Sequence, residues 1–453
     1  MDSSRNRNLI FAILGVLVFC CIGLIALSVA GVALFRISGE TTSPIIPSIN
    51  DSSSTTSDGE IAPDVIRQME TIEQQVIQLR GLQPSGSFDR ALFTPEQLRE
   101  HVLNDFNKDY TPEDAQKDAQ ILAAFGLVRP DFDFYNFYID LLSEQIAGFY
   151  DNETKEMVVV QGEAFAGPER LTYAHEYTHA LQDENYDIKN GLGYDDVPCE
   201  EDSERCAAIQ ALLEGDATLS EIQWFSQFST NKDKQQLQDF YSNLESPVYD
   251  SAPAFMQDDF IFPYDQGYEF VNTLFENGGY AAVDDAYRNL PVSTEQILHP
   301  EKYPDDHPIA VALPDLLPTL GEGWTLLDQN VMGEWYTYLI LARGLELATH
   351  IGDQNSADAA AGWGGDSYAV YLSPAGDTTA LVLSTVWDTA NEATEFAAAF
   401  EQYATARFGP PTADHTWEEN GIVTLFTLNG DHTIWVSAPS LATAQAILTA
   451  VQP

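Results

Sequence analysis

The chain has 453 residues, 44% hydrophobic and 11% aromatic, enough apolar material for one large or two ordinary domains, which excludes a mainly disordered chain. Against 20 Lys+Arg stand 70 Asp+Glu, a formal net charge of -50. A surface this acidic repels phosphate backbones and sets nucleic acid aside as a partner. It serves solubility or salt tolerance, or it holds cations or basic partners.

Residues 9–35 carry no charged side chain. That stretch is longer than the roughly 20 residues needed to cross a bilayer, and longer than the apolar core of a cleavable signal. Small residues at Ser28, Ala30 and Ala33 leave removal by a peptidase open. Arg5 and Arg7 precede the span and Arg36 follows it, which favours a cytoplasmic N-terminus with all later residues outside. The expected organisation is a single-pass membrane anchor at residues 1–36 and a Ser/Thr/Pro-rich tether at 37–62.

Val65, Met69, Ile72, Val76 and Leu79 then recur at three and four residues until Pro84 ends the run. Thr94-Pro95-Glu96 and Thr111-Pro112-Glu113 each place a hydroxyl cap before a first-turn proline, which predicts helices ending near Asn107 and Phe125. An aromatic-rich helix is expected over 133–145. Two apolar arms at 147–150 and 156–160 flank a polar turn and predict a β-hairpin. Pro168 opens a helix reaching about residue 185, and further helices are expected over 205–228, 264–277 and 281–288. Cys199 and Cys206 are close enough for a disulfide. Two reduced thiols, or a metal held with the acids at 200–202, are the alternatives.

A second, small α+β domain is expected over residues 326–453. It comprises a helix over 335–351, a tight turn at Gly362-Trp363-Gly364-Gly365, strands at 367–372 and 379–386, and a helix at 391–408. Strands at 422–428 and 432–437 and a helix at 441–451 complete it. The ββα-ββα order suggests an internal duplication and holds no catalytic cluster.

The chemistry lies in Ala174-His175-Glu176-Tyr177-Thr178-His179. Histidines four apart share one helix face, so both imidazoles reach one Zn²⁺ at about 2.0–2.1 Å. Glu176 is placed to act on a metal-activated water as general base without ligating the ion, the His-Glu-x-x-His arrangement of zinc metallopeptidases. A catalytic zinc needs a third protein ligand and an open fourth position. Glu214 stands in an otherwise apolar helix with Ala211, Leu212, Leu213 and Ala217, where a buried acid is costly unless it is paired or bound to metal. Gly215 and Ala217 would let that helix approach the motif helix. Asp216 either accepts from a ligand histidine or caps the surface.

Ala174-His175-Glu176, His179-Ala180-Leu181-Gln182-Asp183, Glu214-Gly215-Asp216-Ala217 and Val292-Ser293-Thr294-Glu295-Gln296-Ile297-Leu298-His299-Pro300 resemble the gluzincin class of zinc peptidases, among them membrane-anchored bacterial proteins. The resemblance covers roughly residues 95–310. It implies a helix-rich zincin-like α+β domain over 63–325, with His175, His179 and Glu214 as zinc ligands and Glu176 as base. It also implies that the strand at 157–160 pairs with an extended peptide substrate. Many gluzincins support the first histidine with an acid four positions after the third ligand. Thr218 stands there, so that support must come from elsewhere. His299 is the first candidate for the oxyanion donor, ahead of Tyr264, Tyr268 and Tyr303. The expected function is a membrane-tethered zinc peptidase acting on a peptide or unfolded protein. The alternatives are a zinc-containing surface protein that binds a partner without catalysis, and an acidic scaffold that gathers cations. The sequence carries no indication of oligomeric state.

Overall fold

The computed structural model describes residues 61–161 and 164–452. Helix α1 (Pro63–Arg80) buries Val65, Met69, Ile72 and Val76 on one face, the stripe that their spacing predicts. Strand β1 (Asp89–Phe93) leads into helices α2 (Pro95–Asp109), α3 (Pro112–Phe125) and α4 (Phe134–Gln145). Thr94 and Thr111 each form a reciprocal capping box, with Gln97 and Asp114, which fixes where α2 and α3 begin.

Strands β2 (Gly148–Asp151) and β3 (Glu156–Val160) form the expected hairpin. β1 pairs in parallel with the other side of β3, so the sheet order is β1-β3-β2. With both edges of β3 already bonded, residues 157–160 cannot pair with a peptide, which corrects the expectation placed on them. β1 is hard to read from sequence because it is five residues long and begins with two charged ones, too short for a period-two pattern to stand out.

The motif helix α5 (Gly167–Tyr186) runs through the interior, and every residue from Leu171 to Asp183 is buried. Helix α6 (Ser203–Phe228), which carries Glu214, packs against α5 and along α7 (Ala254–Gly278). α6 and α7 cross backbone to backbone. A Cβ on Gly215 would lie 2.1 Å from the Gly267 carbonyl oxygen, and one on Gly267 would lie 2.2 Å from that of Ala211. Gly215 therefore serves contact with α7, not with the motif helix as expected. A disulfide between Cys199 and Cys206 ties the short helix Asp196–Glu201 to the first turn of α6.

The C-terminal region contains β4 (Thr325–Asn330), α8 (Gly333–Ala342), α9 (Asp353–Ala360), β5 (Trp363–Leu372), β6 (Thr379–Trp387) and α10 (Ala390–Phe408). β7 (Thr416–Glu419), β8 (Ile422–Asn429), β9 (His432–Ala438) and α11 (Leu441–Val451) follow. Its six strands form one antiparallel sheet in the order β4-β5-β6-β9-β8-β7. α10 covers one face, against Leu383, Phe426 and Trp435, and α11 covers the other, against Val382, Leu425 and Val436. Antiparallel halves related by a two-fold axis would place both helices on one face, so the repeated strand-and-helix order is not a symmetric duplication. The turn expected at Gly362-Trp363-Gly364-Gly365 is confined to Ala361 and Gly362, and the other three residues already belong to β5. It enters β5 through a bulge, and Gly365 lets the Ile309 backbone pass where a Cβ would sit 2.2 Å from its oxygen. The helix expected over 335–351 stops at Ala342, two residues before the helix-weakening Gly344.

The apolar core is continuous between the two regions. Phe125 at the end of α3 packs edge-on against Tyr368 and Trp435, with ring centroids 5.3 and 5.8 Å apart. The Tyr403 hydroxyl donates to the Phe125 carbonyl at 2.8 Å. Among the described residues no helix is long and apolar enough to cross a membrane. The expected anchor and most of the tether lie outside the described residues.

Candidate metal centre

One helical turn of α5 stacks His175 over His179, and the crossing of α6 brings Glu214 to both. His175 Nε2 lies 3.1 Å from His179 Nε2 and 3.2 Å from Glu214 Oε2, and His179 Nε2 lies 3.3 Å from that same oxygen. Donors 2.0–2.1 Å from a tetrahedral zinc stand about 3.3–3.4 Å apart. The three ligand atoms thus form one face of a tetrahedron of nearly the right size, and an ion fits them without rearrangement of the helices. His175, Glu176 and His179 are 0% exposed and Glu214 is 1% exposed.

The remaining ring nitrogens are held from behind. His175 Nδ1 meets Glu221 Oε2 at 2.9 Å and His179 Nδ1 meets Gln182 Oε1 at 2.8 Å, contacts that orient Nε2 of each ring toward Glu214 Oε2. Gln182 Nε2 donates in turn to the Leu213 carbonyl at 3.0 Å and to Asp216 Oδ2 at 3.1 Å. Asp216 is buried and also accepts from Arg80 Nε at 2.7 Å and from the Tyr287 hydroxyl at 2.8 Å. It neither bonds a ligand histidine directly nor caps the surface, but stands one residue further back. The support that Thr218 cannot give comes from Glu221, seven residues after Glu214 and two turns along the same face.

Burial is the strongest influence on His175 and favours the neutral ring, but Glu214 and Glu221 outweigh it and push its pKa up to about 10. Burial likewise raises Glu214, and the charge of His179 with hydrogen bonds from both histidines overcomes this and holds it below the usual carboxylate value. Burial raises Glu221, with His175 opposing. The field at the meeting point of the ligand atoms therefore favours positive charge.

Glu176 faces β2, and a Cβ on Gly148 would lie 3.4 Å from its Cγ. Tyr264 of α7 stands beside the histidines, its ring centroid 6.4 Å from that of His175. His299 is placed elsewhere. Its Nε2 meets Glu334 Oε1 at 2.8 Å in the wall of a separate cavity. The Tyr303 hydroxyl donates to the Asn289 carbonyl. A second acidic group, Glu295, Asp306 and Asp388, surrounds the Lys302 ammonium at 2.5, 3.7 and 2.8 Å. That ammonium already fills the position a metal would take.

Residues 324–448, from the start of β4 into α11, match the family model of a domain of unknown function (DUF8575). The match lies wholly outside the metal centre. Neither the curated proteins nor the solved structures contain a match to this chain.

Proposed function

We propose that the chain is a zinc-dependent peptidase of the gluzincin kind, tethered to a membrane by residues 9–35 with its folded part outside. The convergence of His175 Nε2, His179 Nε2 and Glu214 Oε2 within 3.3 Å of one another supports this reading most strongly. Zinc held by these three would supply a Lewis acid and a readily deprotonated water. Glu176 takes the proton of the attacking water and delivers it to the leaving nitrogen. Tyr264, the candidate donor beside His175, donates to the carbonyl oxygen as it gains charge. An extended peptide or unfolded segment is received along β2, the outer strand whose Gly148 adjoins Glu176. The Cys199–Cys206 disulfide supports an oxidising, extracytoplasmic setting.

The test pairs metal analysis with a generic peptide assay. Glu176→Gln is expected to retain stoichiometric zinc and to slow hydrolysis by about 10²–10⁴-fold, whereas Glu214→Ala loses the zinc. Unchanged turnover in Glu176→Gln removes Glu176 as the base. One observation favours the non-catalytic alternative, a zinc centre within a surface binding protein: the ligands and Glu176 are all shielded from solvent. Stoichiometric zinc in the wild-type chain with no cleavage of any peptide is the outcome that reading expects.

A further inference from the structure

A cavity of ≈ 630 Å³ lies between α7, α8, α9 and the His299 end of the short helix Thr294–Leu298. α7 supplies one wall through Asp258, Ile261, Phe262 and Asp265, spaced at three and four residues and so sharing one face of the helix. Three aromatic rings stand in a row: Phe262 stacks on Trp335 at 4.6 Å, and Trp335 on Tyr338 at 5.3 Å. Around the rings are five carboxylates, on Asp258, Asp265, Glu334, Asp353 and Asp358. Arg343 neutralises two of them, at 2.6 Å from Asp258 and 2.5 Å from Asp353. Of the other three, Glu334 meets the His299 imidazole at 2.8 Å and Asp358 accepts from Gln354 at 2.7 Å.

Glu334 points most directly to a ligand. It is 3% exposed, and while Oε1 meets His299, the buried Oε2 has no hydrogen-bond partner. A buried carboxylate oxygen lacking a donor is costly, and a donor entering the cavity would remove that cost. Asp265, half-buried on the opposite wall, has no ion-pair partner among the described residues, and burial raises its pKa above the usual value.

We propose that this cavity binds an organic cation, an ammonium or guanidinium group on an aliphatic chain, with Glu334 and Asp265 accepting its N–H donors and the aromatic row packing against its aliphatic part. The Arg343 guanidinium already lies over the Tyr338 ring at 5.6 Å, the pairing of cation with aromatic wall that this lining suits, and charge-assisted bonds to carboxylates direct an incoming cation. A bare metal ion would gain nothing from the apolar lining of Ile261, Leu298 and Ala357. A free polyamine and a Lys or Arg side chain of a peptide share this chemistry. The inference is independent of the zinc reading, because no zinc ligand lines the cavity.

The test titrates the full chain with spermidine and, separately, with a short arginine-containing peptide, reading heat and tryptophan fluorescence. Saturable one-site binding is expected, weakened about tenfold or more by Glu334→Gln and by Asp265→Asn. It is left unchanged by Asp414→Asn, whose side chain is 99% exposed on the far surface. The tighter of the two probes identifies the source. Asp265 has no ion pair to lose among the described residues, so its variant keeps the test valid if Glu334→Gln fails to fold. Non-saturable heat, or equal weakening in all three variants, would mean diffuse attraction to an acidic surface and would overturn the site. Absence of binding by either probe would do the same.

Discussion

His175 presents Nε2 to the other ligands only while Nδ1–H has an acceptor, and Glu221 at 2.9 Å is that acceptor. Glu221→Gln preserves the shape, removes the charge and leaves the tautomer undetermined. Zinc affinity, measured by competition with a chelator, is expected to fall about 10–100-fold. An unchanged affinity would deny Glu221 its role. Gln182 does for His179 what Glu221 does for His175, as a neutral acceptor rather than a charged one. The convergence of the candidate ligands was legible, because the four-residue spacing brings the histidines together and an acid among Ala211, Leu212, Leu213 and Ala217 has no inexpensive reason to be there. Glu221 is hard to foresee because it stands seven residues after Glu214 and not four, although both spacings return to the same helix face. Nothing local announces Arg80, which meets Asp216 across 136 positions of sequence.

At the scale of elements, the third ligand is placed by how closely α6 lies on α7. Gly215→Ala would drive a methyl group into the Gly267 carbonyl. It is expected to destabilise the fold by about 1–3 kcal/mol or more, read from denaturant unfolding, and to weaken zinc binding as Glu214 is displaced. A neutral effect on both would mean that the helices separate without cost. Helix starts were legible wherever a side chain closes the first turn, as Thr94 and Thr111 do. β1 was not, since a parallel partner 67 residues later in register, Asp89 to Glu156, leaves no mark on a five-residue segment. That single strand changes the functional geometry by making β3 central and leaving β2 as the outer strand beside Glu176.

At the scale of the whole molecule, a continuous core carries buried acids at several junctions. Burial, the largest influence, pushes Asp259, Asp328 and Asp366 from an ordinary 3.8 up to about 6, against hydrogen bonds from Tyr336, Tyr368 and the Met332 amide. The folded chain holds these protons more tightly than the unfolded chain, so their contribution is present at low pH and is lost as pH rises through about 6. The melting temperature of the full chain is expected to be a few degrees higher near pH 5 than at about pH 7.5. Asp328→Asn, which cannot ionise, should narrow the difference. A melting temperature that climbs over the same interval would contradict the assignment. The two-region organisation was visible as a change from helices to alternating strands near residue 325. The shared core was not, because Phe125 gives no sign in sequence of meeting Tyr368 and Trp435. One further consequence follows from Arg80 at the last turn of α1. A chain trimmed by proteolysis just after α1 keeps every candidate ligand, yet strands Asp216 in the interior without its cation, at about 3–5 kcal/mol. Maturation that leaves a stable interior must therefore leave Arg80 in place.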